Sequence, residues 1–169
     1  HAVRAQDYPN LSILVIDAGS AEPVKARVAA AAPDAFVRRL DENPGFGAAA
    51  NEVLEVVENA SFYLVCHDDI APAPDVVRTL VEEAYRSNAG IVGPKLVDWH
   101  DPRTLLQVGE GADQAGYPVP LVERGELDQQ QHDAVRDVFT VPGACTLVRA
   151  DLYSSIGGYE GNVYLAGAS

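Results

Sequence analysis

Leu11-Ser12-Ile13-Leu14-Val15-Ile16 is followed by Asp17-Ala18-Gly19-Ser20, and the reading of this stretch decides the fold class. The run is short, continuous and rich in β-branched residues. It is bounded by Tyr8-Pro9-Asn10 on one side and by turn chemistry on the other. Such a run fits a strand buried on both faces. Pro23 to Ala32 follows, Ala-rich and stopped by Pro33, and reads as a helix. Ala35 to Leu40 reads as a second strand. Gly45 to Ala60 reads as a second helix, with Val53, Leu54, Val56 and Val57 on its apolar side. Ser61 to Cys66 is a third strand, Pro74 to Arg86 a third helix with a first-turn proline, and Gly90 to Val97 a further strand. Strand and helix alternate, which predicts an α/β domain with a mostly parallel, Rossmann-like sheet flanked by helices.

The pattern changes after Asp98. Asp98 to Gln131 is richer in Gly, Pro and charge, without clean periodicity, and reads as loops with short strands and a small hairpin. Val138 to Val141 and Thr146 to Arg149 read as strands joined through Pro142-Gly143-Ala144. Asp151 to Ser155 starts a short helix that Gly157-Gly158 breaks. Residues 159–169 carry no capping element, so the chain reads as a piece of something longer.

Bulk properties narrow the function. The 169 residues suit one domain, and 47% apolar content supports a packed core. A net charge of −13 argues against a nucleic-acid partner and against this domain lying on anionic lipid. No stretch approaches the roughly 20 apolar residues of a membrane span, so membrane association is expected only through parts outside this chain. The two cysteines, Cys66 and Cys145, lie inside apolar runs and read as free thiols in a reducing cytoplasm.

Ligands of an open parallel sheet bind at the carboxyl ends of its strands. Three such ends carry polar or glycine-rich segments: Asp17-Ala18-Gly19-Ser20, Asp41 to Gly47, and His67-Asp68-Asp69. Adjacent carboxylates repel, and a hard divalent cation that keeps waters and takes phosphate oxygens offsets that repulsion. Asp68 or Asp69 could instead cap the helix after Ala71-Pro72, with Asp75 a further candidate for that position. His67 is either an additional ligand or a residue that only hydrogen-bonds. Asn43-Pro44-Gly45-Phe46-Gly47 opens a helix, where backbone N–H groups can approach an anion, and Asn51 lies one turn further in.

Taken in order, these segments resemble family 2 glycosyltransferases. Val15-Ile16-Asp17-Ala18-Gly19-Ser20 is similar to that family's first strand end. Asn43 to Asn51 matches its N-x-G-F-(A/G)-x-A-x-N segment, and His67-Asp68-Asp69 falls at its acidic metal motif. Gly90 to Leu96 resembles its VGIVGPKL strand. Val141 to Arg149 resembles its V-x-G-A-x-L-L-(V/I)-R segment, and Gly157-Gly158-Tyr159-Glu160 its GGFDE.

The resemblance implies a GT-A fold, with residues 1–98 as the donor half, residues 99–169 as the acceptor-side half, and one domain overall. It implies metal-dependent, inverting sugar transfer from a nucleotide diphosphate sugar to an acceptor hydroxyl, with Mg2+ or Mn2+ as cofactor. Asp17, Asn43, Gly45, Asn51, Asp68 and Asp69 would bind the nucleotide sugar. Asp69 and Asp68 would hold the metal, with His67 a candidate third ligand. Gly143 and Ala144 would border the acceptor, and the catalytic base is expected beyond Ser169. Only Lys25 and Lys95 are lysines, beside abundant Arg, Ala and Val, which hints at a GC-rich bacterium. Acceptors would then be cell-envelope glycans or lipid-linked sugars, handled in the cytoplasm at the inner face of the plasma membrane. Two other readings fit parts of the pattern: a nucleotidyltransferase, and a scaffold domain that binds nucleotide sugar without turning it over.

Overall fold

The computed structural model describes residues 1–160. A 3-10 turn at Ala2–Ala5 leads into β1 (Leu14–Ala18), α1 (Lys25–Ala31), β2 (Phe36–Leu40), α2 (Phe46–Asn51) and α3 (Val53–Val56). Then come β3 (Phe62–Cys66), α4 (Val76–Ser87), β4 (Ile91–Val92), β5 (Leu96–Val97), β6 (Leu105–Gln107), β7 (Glu110–Ala112) and β8 (Pro118–Pro120). β9 (Cys145–Arg149) and α5 (Ala150–Ser155) close the described chain. The chain divides into two compact units. One comprises residues 1–63, 71–77 and 149–169, the other residues 64–70 and 78–148.

In the first unit β1 and β2 pair in parallel, with Leu14 opposite Phe36 and Asp17 opposite Arg39. The connecting α1 stops at Ala31, just ahead of Pro33, whose ring disfavours helical backbone in the residue before it. The expected helix over Gly45 to Ala60 is shorter and broken into α2 and α3. It ends at Val57, which is extended at φ −117°. The Ala-rich half is a strong helix former. The second half is loaded with Val53, Val56 and Val57, whose branched side chains lose rotamer freedom in a helix. The 3-10 turn is anchored by Gln6. Its amide donates to the carbonyl of Ala73 (2.8 Å), and its oxygen accepts from the Val77 N–H (3.0 Å), capping the start of α4.

The second unit packs on Leu80, Val81 and Ala84 of α4 and on Leu105, Cys145, Leu147 and Val148, all buried. Its main sheet has the order β3-β9-β4, and β4 is antiparallel to β9, with Ile91 opposite Val148. β5 with β6 and β7 with β8 form two further antiparallel pairs. The chain is therefore α/β, but the expected mostly parallel sheet is replaced by small sheets. Parallel pairing is seen between β1 and β2.

The strand expected over Gly90 to Val97 is split into β4 and β5. At the break, Pro94 has no N–H to give a ladder, and a Cβ on Gly93 would lie 2.8 Å from Val141 and Pro142. Val138 to Val141 forms no strand; Thr140 makes an isolated bridge to Glu110. The aperiodic region after Asp98 is ordered by local side-chain turns at Asp98 and Asp113, and by Lys95, whose ammonium donates to Asp128 and Asp133 at 2.6 Å each. Among the described residues no helix is long and apolar enough to cross a membrane.

Candidate functional site

At the end of β1 in the first unit, Asp17 is 3% exposed. One of its carboxylate oxygens accepts the Ser20 N–H (3.1 Å). The other accepts the Val24 N–H (3.4 Å) and an Arg39 guanidinium N–H (2.6 Å). The Ser20 hydroxyl, the backbone N–H groups of Ser20 and Val24, and Arg39 stabilise the charged form. They hold the carboxyl at about 2, although burial alone would raise it. Arg39 also donates to the Ser20 carbonyl (2.8 Å), so the guanidinium bridges both ends of the turn. The turn requires Gly19: its φ is +71°, and a Cβ there would lie 2.8 Å from the Glu42 carbonyl carbon.

Beside this turn, Arg38, Arg39, Leu40, Asp41, Glu42, Pro44 and Glu52 line a cavity of about 470 Å³. At its rim Asn43 is exposed, and its side-chain oxygen accepts the Gly45 N–H (2.9 Å), a short turn that starts α2. Gly45 holds φ +92°. Asn51, at the end of α2, faces elsewhere. Its side-chain oxygen accepts the Tyr153 hydroxyl (2.6 Å) and the Tyr159 N–H (2.8 Å), and its amide donates to the Tyr159 carbonyl (2.8 Å). Phe46, Tyr63, Tyr153 and Tyr159 stack edge-on or tilted around it at 5.7–6.0 Å between ring centroids. Asn51 is thus committed to packing α2 against the turn that follows α5.

In the second unit the end of β3 differs. Asp68 and Asp69 lie in an exposed turn, and neither carboxylate has a hydrogen-bond or ion-pair partner among the described residues. His67 donates its backbone N–H to the carbonyl of Ala144 (3.0 Å). That bond brings the acidic turn alongside Pro142-Gly143-Ala144, which enters β9. Gly143 is exposed, with open space where a side chain would be. One step inward along the same two strands, the sulfurs of Cys66 and Cys145 are 3.4 Å apart, both free. Within this unit the structure therefore joins His67, Asp68 and Asp69 to Gly143 and Ala144. Within the first unit it joins Asp17 to the Asn43–Gly45 loop through Gly19.

Among the described residues no three His, Cys, Asp or Glu side chains converge on one point. The oxygen pair Asp68–Asp69 suits a hard cation that completes its shell with water and phosphate oxygens rather than a cation caged by protein. Sequence reasoning missed Arg39 and Gln6. Arg39 carried a signal, because aligning β1 and β2 end to end sets it beside Asp17. Gln6 carried none, since its partners lie at Pro72 to Val77.

Residues 1–157 match Glycosyl transferase family 2, and the chain belongs to that family. Its general chemistry is glycosyl transfer between a nucleotide-sugar donor and an acceptor, and its fold type is GT-A. No curated protein sequence matches the chain.

Proposed function

We propose that the chain takes part in metal-dependent, inverting transfer of a sugar from a nucleotide diphosphate donor to an acceptor hydroxyl. The observation that supports this best is the exposed, unpartnered pair Asp68–Asp69 at the end of β3. Two carboxylates side by side without a protein cation carry a standing repulsion that a bound divalent ion relieves. Asp69 and Asp68 would hold Mg2+ or Mn2+, with His67 as a candidate third ligand. The bound ion would neutralise charge on the departing diphosphate.

In the first unit, Asn43 and Gly45 would contact the nucleoside through the loop rimming the 470 Å³ cavity. Asp17 is buried and both its oxygens already accept hydrogen bonds, so it would act indirectly, fixing Arg39 and the turn. Asn51 would likewise support the loop from behind. Gly143 leaves open space in the turn that enters β9, beside the acidic turn, and would border the acceptor. Acceptors would be cell-envelope glycans or lipid-linked sugars of a bacterium, reached at the cytoplasmic face of the membrane; this part rests on analogy.

Calorimetric titration with UDP, GDP and dTDP, with and without manganese, tests the proposal. One nucleotide is expected to bind in a manganese-dependent way, and Asp69→Asn should abolish that dependence. Folded protein that binds none of the three would overturn it.

A further inference from the structure

We propose that Cys66 and Cys145 form a reversible redox-modification site, a dithiol that closes to a disulfide and staples β3 to β9 directly behind His67-Asp68-Asp69. The geometry carries the inference. The two sulfurs are 3.4 Å apart on hydrogen-bonded neighbouring strands, already in van der Waals contact. Closing the bond to about 2.05 Å needs a shift of little more than an ångström, within reach of side-chain rotation. The adjacent His67–Ala144 backbone bond holds the strands in register at that point. Cys145 is 1% exposed, whereas Cys66 is half-buried, so an incoming reagent meets Cys66 first. The residues are 79 apart in sequence, so the bond would tie together a long loop.

The oxidant is a small-molecule disulfide such as glutathione disulfide. The Cys66 sulfur attacks one sulfur of the reagent, breaking its S–S bond and releasing one thiol. The Cys145 sulfur then attacks Cys66 in the mixed disulfide and releases the second thiol. Two protein thiols lose two protons and two electrons, which appear in the two released thiols. The staple locks the strand end that carries the acidic turn to the start of β9, just after the Gly143-Ala144 turn. This inference does not depend on the sugar-transfer proposal.

The test is incubation of the folded chain with glutathione disulfide, followed by intact mass, peptide mapping and amide exchange. Expected are loss of both free thiols, a mass lower by two hydrogens, and a cross-linked peptide joining Cys66 to Cys145. Dithiothreitol should reverse all three, and the His67 amide should exchange more slowly in the oxidised form. Cys145→Ser should stop at a mixed disulfide on Cys66, and Cys66→Ser should leave Cys145 unmodified. If the wild-type chain stops at the mixed disulfide, forms only intermolecular dimers, keeps both thiols, or exchanges His67 no more slowly once oxidised, the proposal fails.

Discussion

The ends of β1 and β3 present the same sequence signal, an aspartate following a short apolar run, and the structure treats them in opposite ways. At β1 the carboxylate is buried and saturated by Ser20, Val24 and Arg39. At β3 two carboxylates stand exposed in a turn, with no partner among the described residues. The first arrangement stabilises a loop, because both carboxylate oxygens accept hydrogen bonds from the chain itself. The second leaves both carboxylates exposed to solvent. An acidic strand end is therefore not a site by position alone. Whether the chain's own donors reach it decides that.

Substitutions should separate the two ends. Asp69→Asn removes charge from the open end, so manganese-dependent nucleotide affinity should fall by more than about tenfold, a loss that even a supporting contact of a metal site can produce. Because Asp69 is exposed, thermal unfolding should move by no more than about 0.5 kcal/mol.

Asp17→Asn should give the reverse pattern: a clear drop in the unfolding midpoint, and weakened nucleotide binding only where the turn is lost. The pH dependence has a definite sign. The folded carboxyl lies at about 2, below its ordinary value of 3.8. Its contribution is therefore fully present above that ordinary value and is lost as pH falls from 3.8 towards 2. The Asp17→Asn chain should lose less stability than wild type over that window in acid-unfolding curves.

Gly19→Ala sharpens the comparison by loosening the locked end without touching its charges. A side chain at φ +71° that also meets the Glu42 backbone should cost about 1–3 kcal/mol in denaturant unfolding. The smallest expected effect on metal binding is at the packed junction. Asn51→Ala leaves the Tyr153 hydroxyl and the Tyr159 N–H unpartnered and should cost about 2 kcal/mol, with manganese affinity unchanged when measured below the new midpoint.

Much of the α/β framework was legible in the sequence for a local reason. β1, β2 and β3 are short β-branched or aromatic runs bounded by turn residues, and α4 repeats apolar residues at helical spacing. Sheet order was not legible. It depends on β9 entering beside both β3 and β4, a pairing between distant segments that no local pattern records. The helix expected to reach Ala60 was overcalled, because its apolar face was read and the poor helix propensity of its valines was not. Residues after Asp98 read as loops with short strands and a small hairpin, as β6, β7 and β8 bear out; the rest of their order comes from Asx turns and from Lys95 reaching Asp128 and Asp133, which leave no periodic signal. At the strand ends, the sequence marked candidate carboxylates but not their state. Asp17 and Asp69 look alike until Arg39 is placed in register beside the first. Residues 161–169 lie outside the described chain, as does any test of the base expected beyond Ser169.

Electron paramagnetic resonance of manganese tests the central claim most directly, because it reports the metal itself. Free manganese is titrated with the chain in the presence of the nucleotide that calorimetry selects, for wild type, Asp69→Asn and Asp17→Asn. The contrast between the two strand ends predicts that wild type depletes the free-manganese signal, that Asp69→Asn does not, and that folded Asp17→Asn still does. Equal depletion by wild type and Asp69→Asn would contradict it, and the exposed carboxylates at the end of β3 would then be only a solvated turn.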